Sequence, residues 1–170
     1  MSMFYEYGAA SAPIILIQPV GAHDPEGMER ELGAIKQLTS QDFRLVTVKV
    51  DRWNHDLSPW DAPAVFRGED FGSGAAAVLG EISAFCDDKA LRYFIGGYSL
   101  AGLFSLWAAC QTDCFSGAAA ASPSVWFPGF VDYLKAHPFH SSAVYLSLGD
   151  KEEKVRTPVL SGVGDCIRET

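Results

Sequence analysis

A serine between small residues lies where an apolar segment of strand length meets an apolar segment of helix length. Ser99 follows Gly97 by two positions and precedes Ala101 by two, the spacing of a nucleophile elbow between a buried strand and a helix. Such a turn strains the serine backbone, lifts its Oγ clear of the sheet and leaves no room for large flanking side chains. Alanine replaces the glycine of the strict pattern as the smallest substitute. The spacing predicts a serine nucleophile that can bond to an acyl carbon; a glycine-rich turn with an incidental serine is the alternative interpretation.

The residue after the serine is predicted to help bind the oxyanion that such an attack creates. Leu100 is expected to begin a helix, where backbone N–H groups lack partners and the helix dipole is positive. Acyl transfer through serine needs two donors for the oxyanion, a base that takes the Oγ proton, and an acid that orients the base. We expect the N–H of Leu100 to be one of the two donors.

The segments that must position the serine alternate between strand-like and helix-like patterns. Short apolar runs predict strands at residues 14–17, 45–50, 91–97, 117–121 and 144–148. Helical spacing of apolar residues predicts helices at residues 25–38, 75–86, 100–110, 125–136 and 157–167. This alternation predicts an α/β fold, a mainly parallel sheet with helices on both faces in a three-layer sandwich. Active sites of such sheets lie beyond the carboxyl ends of the strands, and Ser99 is at one of them.

Length and charge restrict the class of protein. The 170 residues predict a single domain over 1–170, and the net charge of −8 argues against nucleic acid and membranes as partners. The start of the chain shows no export signal, and no run reaches the roughly 18 apolar residues of a membrane span. We expect a cytoplasmic protein whose four cysteines are reduced thiols. They form no CxxC pair, so we expect no metal site.

Aromatic residues near the predicted strand ends are candidates for a substrate pocket. Residues 51–74 form a long segment without clear periodicity, which is unusual unless it serves a site. Trp53 and Trp60 lie in it, Trp126 follows a later strand, and Tyr98 is beside the nucleophile. We expect these four residues to line an apolar pocket. Packing under a long loop is the competing explanation.

Four short motifs together resemble a known family. In chain order they are Asp56-Leu57-Ser58-Pro59, Phe71-Gly72-Ser73-Gly74-Ala75, Gly97-Tyr98-Ser99-Leu100-Ala101-Gly102-Leu103-Phe104 and Ala121-Ser122-Pro123-Ser124-Val125-Trp126. They resemble the α/β-hydrolase esterases that include the S-formylglutathione hydrolase (esterase D) type and the enterochelin esterase type. The resemblance covers about residues 13–153. It implies the α/β-hydrolase fold and a serine hydrolase that acts on small-molecule esters or thioesters without a cofactor.

The resemblance also implies where the remaining groups of the site lie. Similar hydrolases take their second oxyanion donor from the loop after the first strand of the parallel sheet. Pro19 has no N–H, so Val20 or Gly21 must supply this donor. The acid follows a late strand, and the sequence after residue 148 offers Glu152 and, as a close second, Asp150.

The general base is not found where this fold places it. In α/β-hydrolases the histidine follows the acid in the chain, whereas His23, His55, His137 and His140 all precede both acid candidates. We therefore expect the sequence to lack about 60 to 80 carboxyl-terminal residues that carry the histidine. If the chain is complete, His55 is the best substitute base, because it follows a predicted strand end.

Two functions follow from these expectations. The first is a serine hydrolase that cleaves a carboxylic ester or thioester through an acyl-enzyme on Ser99. The alternative is a hydrolase-like protein or shortened product that lacks its base and is a binding module or inactive. A sheet edge left open by a missing strand would favour oligomerisation.

Overall fold

The structure is a computed structural model that describes residues 2–65, 68–149 and 165–166. The strands are β1 (Met3–Gly8), β2 (Ile14–Val20), β3 (Phe43–Lys49), β4 (Arg92–Tyr98), β5 (Phe115–Ala121) and β6 (Ala143–Ser147). The helices are α1 (Pro25–Leu38), α2 (Trp53–Asp56), α3 (Ala75–Phe85), α4 (Leu100–Gln111) and α5 (Phe130–Ala136). Over these residues the strands form one sheet in the order β1-β3-β2-β4-β5-β6. The predicted α/β fold is confirmed.

The sheet is parallel from β3 to β6, and β1 pairs antiparallel with β3. From β2 the chain proceeds through α1 to β3 on one side, whereas β4, β5 and β6 follow one another on the other side. The strand order therefore reverses between β2 and β4. In open parallel sheets a ligand site lies outside the carboxyl ends of the strands at such a point.

The core lies mainly on the face of the sheet that carries α3, α4 and α5. Every residue of α4 from Leu100 to Cys110 is buried, since this helix packs between the sheet and the surrounding segments. A smaller cluster on the other face joins Leu32 of α1 to Phe43 and Leu45 of β3. The central helix therefore has no solvent-exposed face before Gln111, and its amino terminus is fixed against the sheet.

The first parallel strand continues past its predicted end. The prediction ended it at residue 17, before Gln18-Pro19, but β2 extends to Val20. Its pairing with β4 stops at Ile17, while its pairing with β3 continues to Val20. Pro19 therefore lies where β2 has a neighbour on only one side, a position at which a residue without N–H does not interrupt a ladder.

Three other predictions differ from the structure. The amino-terminal strand β1 was not predicted. The helix expected from residue 125 begins at Phe130, because Phe127 N–H donates to the Ser124 carbonyl in a turn and Gly129 has φ 79°. The segment 51–74 contains the short helix α2. Of the helix predicted at residues 157–167, the structure describes Asp165 and Cys166, and both are helical.

The helices of the described ranges are too short or too polar to cross a membrane.

Candidate active site

Ser99 connects β4 to α4 in a strained backbone conformation. Its φ of 57° and ψ of −118° lie outside the regions that L-residues ordinarily adopt. Hydrogen bonds hold both sides of its peptide: Ser99 N–H donates to the Ala121 carbonyl at 3.0 Å, and Leu103 N–H donates to the Ser99 carbonyl at 3.1 Å. Strain of this kind persists only where the surrounding structure imposes it, and it is common at active sites.

Small residues permit this tight turn. A Cβ at Gly97 would lie 2.5 Å from Ala101 Cβ and 2.8 Å from the Ala101 carbonyl carbon. A Cβ at Gly102 would lie 3.0 Å from the Gly97 carbonyl oxygen and 3.2 Å from Pro123 Cα. The strand, the helix and the loop after β5 therefore approach one another so closely that any added atom would force backbone to move.

A second serine, to which the sequence analysis gave no role, contacts the nucleophile candidate. Ser124 Oγ lies 3.1 Å from Ser99 Oγ, and Ser124 N–H donates to the Ser99 carbonyl at 3.0 Å. Ser124 is 2% exposed. Its two predecessors form a sharp turn, since Ser122 has φ 43° and is followed by Pro123. The signal in the sequence was the Ser-Pro-Ser run directly after β5, at the functional edge of the sheet.

Both serines face a cavity of about 200 Å³. The residues of the elbow and of the loop after β5 form its floor, and α2 with the segment that follows forms its walls. The lining residues are Trp53, Asn54, Ala64, Val65, Gly68, Glu69, Phe71, Ser99, Leu100, Ser124 and Trp126. The lining of the cavity therefore combines aromatic rings with polar side chains, and Ser99 is one of the polar residues.

The described residues of the long segment between α2 and α3 form one wall of this cavity. Ala62 and Phe71 exchange two backbone hydrogen bonds, which close the segment into a hairpin-like loop. The Asn54 side chain donates to the Glu69 carbonyl at 3.1 Å and ties the loop to α2. The Phe71 ring packs against Trp126 at a centroid distance of 6.2 Å, so the loop meets the segment after β5 across the cavity.

The predicted oxyanion loop lies beside the cavity wall. Val20 is the last residue of β2, and its carbonyl accepts a hydrogen bond from Val50 N–H at 2.9 Å. A Cβ on Gly21 would lie 3.3 Å from the Trp53 ring, which lines the cavity. Leu100 is the first residue of α4, so no earlier helical turn provides a partner for its N–H.

The four predicted pocket residues occupy different places. Trp53 and Trp126 line the cavity that contains Ser99. Tyr98 is 63% exposed and lines a separate depression with Leu16. The ring of Trp60 packs 5.5 Å from that of Phe127, and its Nε1 donates to the Pro128 carbonyl at 3.0 Å. Neither Trp60 nor Tyr98 lines the cavity of Ser99, since Trp60 anchors the long loop to the segment before α5 and Tyr98 lines the separate depression.

His55 faces a different cavity from Ser99. It lies on α2, where Trp53 and Asn54 line the cavity of Ser99, whereas His55 and Asp56 line a polar cavity of about 260 Å³. There His55 Nδ1 lies 3.0 Å from Asp56 Oδ1, and Asp56 also pairs with Arg52 at 3.1 Å. Among the described residues, no histidine lines the cavity around Ser99.

The other histidines are engaged elsewhere. His23 stacks on Tyr5 at a centroid distance of 3.7 Å. His137 stacks on Tyr133 at 4.0 Å, and the backbone N–H of His140 donates to the Ala109 carbonyl. The two acid candidates, Asp150 and Glu152, lie outside the described residues.

Two cysteines whose thiol pKa values are shifted lie at the amino-terminal ends of the strands, opposite the edge that carries Ser99. Cys114 precedes β5, and Cys86 follows α3. A hydrogen bond with the Cys86 thiol lowers the pKa of Cys114 to about 6 and raises the pKa of Cys86. Burial raises the pKa of Cys110 to about 11. Within the described residues, no group of three or more His, Cys, Asp or Glu side chains is arranged to hold a metal ion.

Comparison with solved structures reveals similar folds at low sequence identity. The siderophore hydrolase EstA from Aspergillus nidulans is 19% identical, and the match has a TM-score of 0.58 and covers 95% of this chain and 68% of EstA. For an IroE-like serine hydrolase from Shewanella oneidensis the identity is 16%, the TM-score 0.61 and the coverage 98% and 74%. An α/β-hydrolase enzyme, MGS-MChE2, from the metagenome of sediments from the lagoon of Mar Chica, Morocco, is 12% identical with a TM-score of 0.59, and the match covers 97% of this chain and 78% of that one.

The sequence itself matched neither a protein-family model nor a curated protein. The resemblance that the motifs suggested is therefore confirmed at the level of architecture, through structures whose names describe hydrolases. This chain has the α/β-hydrolase fold.

Proposed function

We propose that this chain carries the nucleophile of a serine hydrolase that cleaves a carboxylic ester or thioester. The observation that carries the proposal is the backbone of Ser99, which is strained to φ 57° at the carboxyl edge of the sheet and whose Oγ opens into a cavity. A serine in an ordinary strand-to-helix turn would relax to negative φ. The same strain in a nucleophile elbow exposes the hydroxyl to substrate.

The reaction takes place in two steps. Ser99 Oγ attacks the acyl carbon, its proton is transferred to the departing alkoxide or thiolate through a base, and the acyl group stays on Oγ as an ester. Water then attacks this ester and releases the carboxylic acid and the free serine. In both steps the oxyanion accepts hydrogen bonds from the N–H of Leu100 and from that of Val20 or Gly21.

The cavity suits a small apolar acyl group. Its volume of about 200 Å³ is below the usual size of a site that encloses a whole drug-sized ligand. Trp53, Phe71 and Trp126 offer ring surfaces against which a short acyl or aryl group can pack. The alcohol or thiol part of the substrate then extends out of the cavity, over Asn54 and Glu69 at its polar side.

The acid and the base complete the proposed site. Glu152, or the neighbouring Asp150, follows β6 in the chain and is the proposed partner that orients the base. Of the four histidines in this chain, His55 is the proposed base, and it requires a change in the orientation of α2 to reach the cavity of Ser99. Loss of the base alone leaves a rate about 10³ to 10⁴ times that in water, so slow ester cleavage by itself is no test.

Labelling with a fluorophosphonate probe tests the nucleophile directly. We expect the native chain to take up one probe molecule and the Ser99→Ala variant none. Ser105→Ala is the matched control, because Ser105 is buried on the same helix and donates to the Ala101 carbonyl at 2.8 Å. A native chain that stays unlabelled, or a Ser99→Ala chain that labels equally, contradicts the proposal.

A second candidate function is binding without turnover. The observation that favours it is that no described histidine lines the cavity around Ser99. Such a protein would bind an ester in the cavity and release it unchanged. The two functions differ in the rate of turnover, since a hydrolase with its base releases alcohol much faster than the residual rate of about 10³ to 10⁴ times that in water, whereas a protein without the base does not exceed that residual rate.

A further inference from the structure

The hydroxyl groups of Ser124 and Ser99 are hydrogen-bonded at an Oγ–Oγ distance of 3.1 Å. Ser124 is 2% exposed and lines the same cavity as Ser99. The geometry points to Ser124 as a positioning residue that donates a hydrogen bond to Ser99 Oγ and holds this oxygen in its attacking orientation while it loses its proton. This inference rests on the proposed function, because it assigns a role within the same site.

The distance between the two hydroxyls is fixed by the backbone on both sides. Ser124 N–H donates to the Ser99 carbonyl at 3.0 Å, and Ser99 N–H donates to the Ala121 carbonyl at 3.0 Å. Pro123, immediately before Ser124, lies against Gly102 of α4. The two side chains are short and each has one rotatable carbon–carbon bond. The hydroxyl pair is therefore preorganised by rigid elements, as a site group must be to affect a rate.

The number of hydroxyl protons available determines which serine donates this hydrogen bond during the attack. Each hydroxyl has one proton to donate and two lone pairs to accept. Ser99 must direct its single proton at the base. The proton of the Oγ–Oγ hydrogen bond must then come from Ser124. As negative charge develops on Ser99 Oγ, this hydrogen bond becomes charge-assisted and stronger, and burial increases the effect. Ser124 therefore stabilises the transition state more than the resting state.

A purely structural role is the competing explanation, and the chain provides a control for it. Ser105 is also a fully buried serine near the elbow, at 0% exposure, and its Oγ donates to the Ala101 carbonyl at 2.8 Å. Removal of either hydroxyl costs one buried hydrogen bond. Only removal of the Ser124 hydroxyl takes a donor away from Ser99 Oγ. The two variants therefore separate loss of stability from loss of reactivity.

The experiment measures kinact and KI for a fluorophosphonate on the full chain. In this reaction the bond from Ser99 Oγ to phosphorus forms, the phosphorus–fluorine bond breaks, fluoride leaves and the Oγ proton passes to solvent or the base. We expect Ser124→Ala to lower kinact about tenfold with KI unchanged, the size of one lost hydrogen bond. Ser124→Thr keeps the hydroxyl and is expected to recover most of the rate. Ser105→Ala is expected to change neither constant.

Three results would overturn the inference while the proposed function stands. They are a kinact for Ser124→Ala within twofold of the native value, an equal loss in Ser105→Ala, and a Ser124→Thr chain that labels as slowly as Ser124→Ala. If Ser124→Ala does not fold, Ser124→Cys replaces it, because the thiol is similar in size and a weak donor; it must also lower kinact. A native chain that does not label at all overturns the proposed function and this inference with it.

Discussion

A methyl group on Gly97 would lie 2.5 Å from the Cβ of Ala101, closer than two carbon atoms can approach without displacement. Gly97 is in β4 and Ala101 in the first turn of α4, so this contact determines how tightly the chain turns at Ser99. The chain can turn this tightly, and so strain Ser99, because Gly97 has no side chain and Ala101 has only a methyl group.

We predict that Gly97→Ala lowers the free energy of unfolding by about 1 to 3 kcal/mol, because the added atom forces strand and helix apart. The change also moves Ser99, so fluorophosphonate labelling slows by more than the loss of folded protein explains. Gly80→Ala is the matched control, since a Cβ at Gly80 in α3 meets nothing within 4 Å. In an exposed helix the control should stabilise by about 0.5 to 1 kcal/mol. Urea denaturation checks both values, and equal effects of the two variants would contradict the account.

Replacement of Trp53 is predicted to change inhibitor binding, whereas replacement of Trp60 is predicted to change stability. Trp53 lines the cavity, so Trp53→Ala raises KI for an aryl phosphonate about tenfold through lost apolar contact. Trp60 packs on Phe127 and donates to the Pro128 carbonyl, so Trp60→Ala lowers the free energy of unfolding by about 2 to 3 kcal/mol. Inhibition kinetics and thermal denaturation of both variants measure this contrast. The reverse pattern, with KI altered only in Trp60→Ala, would be incompatible with the cavity described above.

Cys114 is predicted to be the most reactive of the described thiols at neutral pH. Its pKa is lowered to about 6, first by the hydrogen bond with Cys86, so the thiolate predominates above that pH. Alkylation by iodoacetamide should therefore rise between pH 5 and 7 and then level off, whereas Cys110, with its pKa raised to about 11, stays slow. Cys86→Ala removes the hydrogen bond and should return the pKa of Cys114 towards 9.0. Rates from peptide mass spectrometry that do not change in Cys86→Ala would refute this cause.

The alternation of strands and helices and the elbow were predictable from the sequence because each is a local pattern. An apolar run of strand length and a stripe of apolar residues at helical spacing carry their own signal, and so does a serine between Gly97 and Ala101. The end of β2 was not predictable in this way. Pro19 is tolerated there only because β4 stops pairing with β2 at Ile17, which is a property of the sheet.

The arrangement of the site depended on contacts between distant segments. Ser124 contacts Ser99 across 25 positions of the chain, and the Ser-Pro-Ser run that contains it indicates a turn without showing which side chain reaches Ser99. Trp53 and Trp60 lie in one segment, yet one lines the cavity and the other anchors the loop. Neighbours on α2 likewise point into two different cavities, which separates His55 from the serine. The residue types in such a loop can be read from the sequence, but the direction of each side chain depends on the path of the backbone in the folded structure.

The most direct test of the nucleophile is to locate the acyl group after reaction with an activated ester. The chain is mixed with p-nitrophenyl acetate, quenched in acid, digested and analysed by tandem mass spectrometry. We predict one acetyl group per chain on the hydroxyl of Ser99 and no acetylated peptide from this region in Ser99→Ala. An acetyl group on Tyr98 or Ser124 with Ser99 unmodified, or equal acetylation of the region in Ser99→Ala, would contradict the account.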